Sequence, residues 1–216
     1  MVTIPKQLTA DYLASRWPLL FHMAESGSWE SIVKHGLRST SALLDLFEIQ
    51  GARRESLEAT RRLDSVAIEH PIHGVAWIRD NKPVNETVLD RTLVGMTPAE
   101  FYRCLNGRVF FWLSEKRLDR LRNAPPYRNR KHDVLVVSTA KLLERYGDVV
   151  ELSPLNSGAV HPAADYPRGE GTFRTIATYD WSRRLRVAPG EPIVELTVPY
   201  AVPDVADLVL EVRQAM

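Results

Sequence analysis

The sequence predicts an α+β fold, with helical segments at the N-terminus and strands scattered through the rest. Two observations carry this expectation. Helical patterns come first, and the later strand-like runs lack the regular alternation that builds a parallel βαβ sheet. A length of 216 residues suits one domain with a substantial core, so residues 1–216 are read as a single domain.

Taken in order, LTADYLASRWPLLFH is a short helix that stops before Pro18 and delivers the chain into an extended segment ending at His22. In SWESIVKHG, Ser28 is placed as N-cap and Gly36 as the residue closing the helix. Trp29, Ile32 and Val33 fall at i, i+3, i+4, the mark of one buried face. TSALLDLFEI and ARRESLEATRRL continue the helical series. The period then changes: SVAIEH and GVAWIRD, divided by Pro71 and Gly74, predict a hairpin. VNETVLDRTL is expected to be helical. TPAEFYRCL carries a local start signal, with Thr97 as N-cap, Pro98 at N1 and Glu100 at N3. Strand RVFFWLS, helix EKRLDRLRN, strand DVLVVS, helix TAKLLERYG and strand VVELS follow. Residues 154–192 hold most of the late proline and glycine and are expected as long structured loops, with FRTIATYDW partly ordered. PIVELTVP and DLVLEVR close the chain as strands.

A formal net charge of +1 provides no overall field selecting nucleic acid, membranes or acidic substrates, so any such contact needs a local patch. The single cysteine, Cys104, excludes an internal disulfide and a cysteine-rich zinc site. No run has the length of a signal-peptide core or a membrane span, which predicts a cytoplasmic protein without a membrane partner. His70 and His73 are separated by two residues, but Pro71 prevents a helical face, and no metal is expected. Neither a G-x-S-x-G elbow, a P-loop nor a G-x-G-x-x-G loop is present.

Several residues remain as candidates, each with a plainer alternative. His22 is either a hydrogen-bonded structural residue or a ligand contact at a pocket mouth. RGEGTFR, Arg168 to Arg174, is either a solvent loop or a phosphate cradle of backbone N–H groups and guanidinium forks. In VFFWLS, Phe110 and Trp112 face one way and Phe111 the other, so both faces need cover, by protein or by a planar ligand. The segment from Lys116 to Lys131 concentrates basic residues with Tyr127 among them, forming either a solvated face or a groove for a phosphate backbone. Glu195 sits between Val194 and Leu196 on an expected strand. It is either turned outward at an edge, or paired, protonated or placed in a site.

Together these stretches resemble the DarT-type ADP-ribosyltransferases. HMAESGSWESIVKHGL is similar to that family's opening motif, with His22, Ser28–Trp29, Ile32 and Gly36 at matching spacing. The family's usual Thr and Asn are replaced by Ala24 and Ser28. VFFWLS resembles its aromatic strand, and VELTVP resembles the late strand bearing its catalytic Glu.

The resemblance implies an ADP-ribosyltransferase-like split sheet and NAD as substrate. Glu195 takes the catalytic role, stabilising positive charge at the ribose C1′. His22 donates to a ribose hydroxyl, Ser28 supports the nucleotide, and Trp112 or Phe111 stacks on the cationic nicotinamide. Arg53 or Arg54 supplies the family's arginine, and Arg174 contacts the pyrophosphate. The acceptor implied is a nucleic-acid base, in single-stranded DNA or RNA held by the basic segment, in a toxin or defence setting. A non-catalytic nucleotide- or nucleic-acid-binding module, and transfer of an RNA 2′-phosphate to NAD, are the alternatives within the same fold.

Overall fold

The computed structural model describes residues 4–161 and 166–215. At its centre is a seven-stranded sheet in the order Arg174–Thr175, Glu151–Ser153, Glu195–Pro199, Arg108–Trp112, Leu19–Glu25, His132–Ser138, Val209–Ala215. Every neighbouring pair is antiparallel. Ten α-helices among the described residues surround it, so the fold is mixed α+β with a large antiparallel sheet. Among those residues, no helix is long and apolar enough to cross a membrane.

Strand alternation divides the core. On one face, Leu20, Phe111, Leu135, Val137, Leu196 and Val198 pack with Leu13, Leu142 and Leu143 from helices Ala10–Arg16 and Thr139–Tyr146. On the other, Phe21, Met23, Val134 and Val136 meet Leu118 of helix Glu115–Arg122, with Trp112 against them. Strand His132–Ser138 is covered on both faces, which explains why DVLVV is a nearly continuous apolar run. Phe111 is 1% exposed, and burying an aromatic ring of this kind contributes about 2–3 kcal/mol.

A second layer carries the hairpin Val66–His70 and Gly74–Ile78. Its inner residues Ile68, Ala76 and Ile78 pack on Leu44, Phe47 and Leu57 from helices Thr40–Leu46 and Gly51–Glu58. Helix Pro98–Asn106 begins with the expected capping box: Thr97 and Glu100 exchange side-chain to backbone bonds.

The structure differs from the sequence reading in instructive places. The first strand continues three residues beyond His22, to Glu25, which places the histidine mid-strand. Val33 is half exposed, so the buried face of helix Trp29–His35 rests on Ile32. Ser28 makes no side-chain cap bond there. Asp133, from the neighbouring strand, accepts from the Trp29 amide at 3.2 Å and caps the helix from outside the local sequence. Within the expected loops of 154–192, Trp181–Val187 is a helix, started by the Asp180 carboxylate accepting from the Arg183 amide. Residues 162–165 of that stretch, and residues 1–3 of the N-terminus, lie outside the described residues.

Candidate functional site

The His22 strand and the aromatic strand share one residue pair, Phe21 opposite Trp112. Continuing that register would set Met23 against Phe110. Instead, the Phe110 carbonyl accepts from His22 Nδ1 at 2.9 Å, and the Met23 carbonyl accepts from Arg79 Nη1 at 2.6 Å. Side chains thus take up backbone groups that a ladder would pair, and the sheet parts at this point. The gap opens into a cavity of about 400 Å³, within the range of small-molecule sites. His22, Phe110, Trp112 and Glu195 line it from the sheet, Ser28 and Ser31 from the adjoining helix, and Val75, Trp77 and Arg79 from the hairpin.

His22 has a defined polarity. A carbonyl only accepts, so Nδ1 carries the hydrogen given to Phe110, and Nε2 of the neutral ring is left as an acceptor. Burial pushes the imidazole pKa down to about 4, helped by the nearby Arg79 charge and opposed by the Phe110 bond. The free edge of the ring is thus an acceptor, so a ribose hydroxyl, to which the sequence reading had His22 donate, would meet an acceptor there. We predict that ¹⁵N NMR finds a neutral Nδ1–H tautomer from pH 8 down to pH 5. A ring that titrates near its ordinary value of 6.5 would show that the Phe110 bond and the burial do not persist in solution.

Glu195 begins its strand, paired with Trp112 on one side and Ser153 on the other. Its carboxylate is 3% exposed and takes three hydrogen bonds from one residue. The Ser157 amide reaches both oxygens at 3.2 Å, and the Ser157 hydroxyl reaches Oε2 at 2.7 Å. Burial raises its pKa to about 7, while the Ser157 bonds and the charges of Arg117 and Arg168 pull the other way. Arg168 is itself buried, anchored to the carbonyls of Tyr166 and Ala159, and holds the loop that carries Ser157. By alternation Glu195 shares the face of Trp112 and Phe21, and His22 has the opposite parity. Both nevertheless line one cavity, because the strands separate between them.

A sequence profile described as a family of unknown function, DUF7002, matches residues 18–209. The chain belongs to the DUF7002 family. The match runs from just before the first sheet strand to the start of the last, and so includes His22, Trp112 and Glu195. No curated protein and no solved structure matches the chain.

The other candidates of this DUF7002 chain fall in several places. Trp112 lines the cavity, as does Ser28, whereas Phe111 lies in the core on the opposite face. Arg54 is outside it. Its guanidinium is held by Glu58 at 2.9 Å and Asp45 at 2.5 Å on the surface of helix Gly51–Glu58. Arg174 is exposed on the sheet's edge strand and also lies outside the cavity. In RGEGTFR, read as either a solvent loop or a phosphate cradle, two of the candidate donors are engaged by the chain itself. Arg168 serves two carbonyls, and the Gly169 amide donates to Thr172 Oγ1 at 2.8 Å.

Basic residues of 116–131 are largely neutralised, Arg117 and Arg120 by Glu191, Arg122 by Asp119 and Arg130 by Glu25. Arg128 and Lys131 remain exposed with no ion pair among the described residues.

Sequence reasoning missed a polar cluster at the end of the His22 strand, whose Glu25, Arg79, Asp80 and Tyr127 also line the cavity. Glu25 accepts from Ser65 at 2.6 Å and Arg130 at 3.0 Å, and Tyr127 donates to Asp80 at 2.6 Å. The Arg79 guanidinium lies 5.1 Å from the centre of the Tyr127 ring. The available signal was Arg79–Asp80 following directly on a strand whose alternate residues, Ala76 and Ile78, are apolar.

Proposed function

We propose that the cavity binds NAD, cleaves its nicotinamide–ribose bond and transfers ADP-ribose to a nucleic-acid base, in an ADP-ribosyltransferase-like split sheet. The observation that carries this reading is the placement of a buried carboxylate, Glu195, on the same cavity as His22 and Trp112. Bond cleavage develops positive charge at the ribose C1′, and a desolvated carboxylate aimed at that atom stabilises the transition state more than the ground state. Trp112, beside Glu195 in the register, offers its face to the cationic ring that departs. His22 Nε2 accepts from a ribose hydroxyl and fixes the sugar against the carboxylate.

A base as acceptor is supported by the basic segment, whose Leu121 and Tyr127 line the cavity while Arg128, next to Tyr127 in sequence, and Lys131 stay exposed. A strand tracking those charges would bring a base to the mouth.

The test is nicotinamide release from NAD by the purified protein, wild type beside Glu195→Ala, with and without single-stranded DNA and RNA. Release that is lost in the variant and accelerated by nucleic acid is the expected result. NAD binding without release would support the non-catalytic nucleotide module instead, and neither binding nor release would remove the reading.

A further inference from the structure

With Arg54 held in its surface ion pairs and Arg174 outside the cavity, the question is which cation in the cavity is available to a ligand. Arg38, Arg62, Arg79 and Arg108 line it. Three of them are committed. Arg62 gives its guanidinium to the carbonyls of Leu57 and Arg79 and to the Asn106 side chain. Arg79 is spent on the Met23 carbonyl and Glu25. Arg108 is paired with Glu151 at 2.7 Å and bonded to the Cys104 carbonyl.

Arg38 differs. Its Nε donates to the His35 carbonyl at 2.7 Å, which fixes the plane of the guanidinium. Among the described residues neither Nη atom has a hydrogen-bond partner and no carboxylate pairs with the guanidinium. The cavity also presents the hydroxyls of Ser31 and Thr40, neither of which is bonded within the protein among the described residues. An oriented fork whose two Nη atoms are unused and carry no ion pair, lining the same cavity as the unused hydroxyls of Ser31 and Thr40, is the donor set for an acceptor-rich anion.

We propose that Arg38, with Ser31 and Thr40, forms a phosphate-binding subsite, so that the ligand is a phosphorylated nucleotide and not a nucleoside. The proposal rests on the NAD reading in that both place a nucleotide in this cavity, but it concerns the phosphate and not the cleavage. Arg38 therefore acts in binding: it grips the diphosphate while the sugar reaches towards His22 and Glu195.

The experiment is calorimetric titration of the full chain with ADP and with adenosine. ADP is expected to bind roughly 10-fold to 100-fold more tightly than adenosine, the range of one bidentate charge-assisted contact. Arg38→Met should reduce ADP to the affinity of adenosine and leave adenosine unchanged. Arg38→Lys, which keeps the charge, should retain part of the preference and covers the case in which the Met variant fails to fold. Equal affinities in the wild type, binding of neither compound, or a preference that survives Arg38→Met would each overturn the proposal. An Arg38-dependent ADP preference without NAD cleavage would sustain the subsite and sink the transferase reading; NAD cleavage without an ADP preference would do the reverse.

Discussion

Glu195→Gln is expected to cut the proposed NAD cleavage by orders of magnitude while making the protein more stable at pH 8. The carboxylate is almost fully buried, and its pKa is raised to about 7 from an ordinary 4.5. Between those values the folded state holds a proton that the unfolded state has released, so stability falls as pH rises through the window and the loss is complete above it. The charge therefore costs the fold about 3 kcal/mol at pH 8.

Glutamine removes that cost and keeps an oxygen for the Ser157 donors, although its own amide hydrogens need partners. A net gain of about 1–2 kcal/mol is expected at pH 8, shrinking towards zero as pH approaches 4.5. In the proposed reaction, NAD turnover should drop by about 10²–10³-fold or more, since the variant lacks the charge proposed to stabilise C1′. Thermal melts across pH, run beside a turnover assay, read both effects. A variant destabilised at every pH would instead assign the carboxylate a structural role.

Gly36→Ala is expected to be among the most damaging single changes outside the core. Gly36 has φ +78°, a conformation that a side chain strains, and a methyl group there would sit 2.7 Å from the Pro203 carbonyl oxygen and closer still to its Cα. Backbone cannot swing aside as a side chain tip can. We expect a loss of about 3–5 kcal/mol and a Tm lower by roughly 10 °C. Because Gly36 lines the cavity two residues before Arg38, ligand affinity should fall with it. A variant melting with the wild type would mean that the segment around Pro203 gives way freely.

What could be read in the sequence was what neighbours in sequence decide. Thr97, Pro98 and Glu100 settle a helix start among themselves, and the alternation in RVFFW correctly separates Phe111 from Phe110 and Trp112. The candidate carboxylate was found because a Glu between Val194 and Leu196 violates the strand pattern. What could not be read was set by distant partners. Asp133 caps a helix that begins at Trp29, Ser157 reaches Glu195 from a loop, and Arg54 is drawn off by Asp45 and Glu58. The hairpin's part in the cavity was equally hidden, because Val75 and Trp77 are exposed on the hairpin's outer face and nothing local shows that they line a cavity.

The single pair joining Phe21 to Trp112 has a consequence for how the molecule comes apart. Four strands lie on one side of that seam and three on the other, and each set is bonded within itself along several registers. Across the seam, His22 adds a side-chain strut to the one backbone pair. Backbone pairing is therefore thinnest along this seam, although one apolar cluster spans it, with Leu20, Leu135 and Val137 on one side and Phe111, Leu196 and Val198 on the other. Local breathing along this line is expected to widen the cavity while that shared core stays closed, so the same scarcity of backbone bonds that makes the site also makes it the place where the sheet gives first.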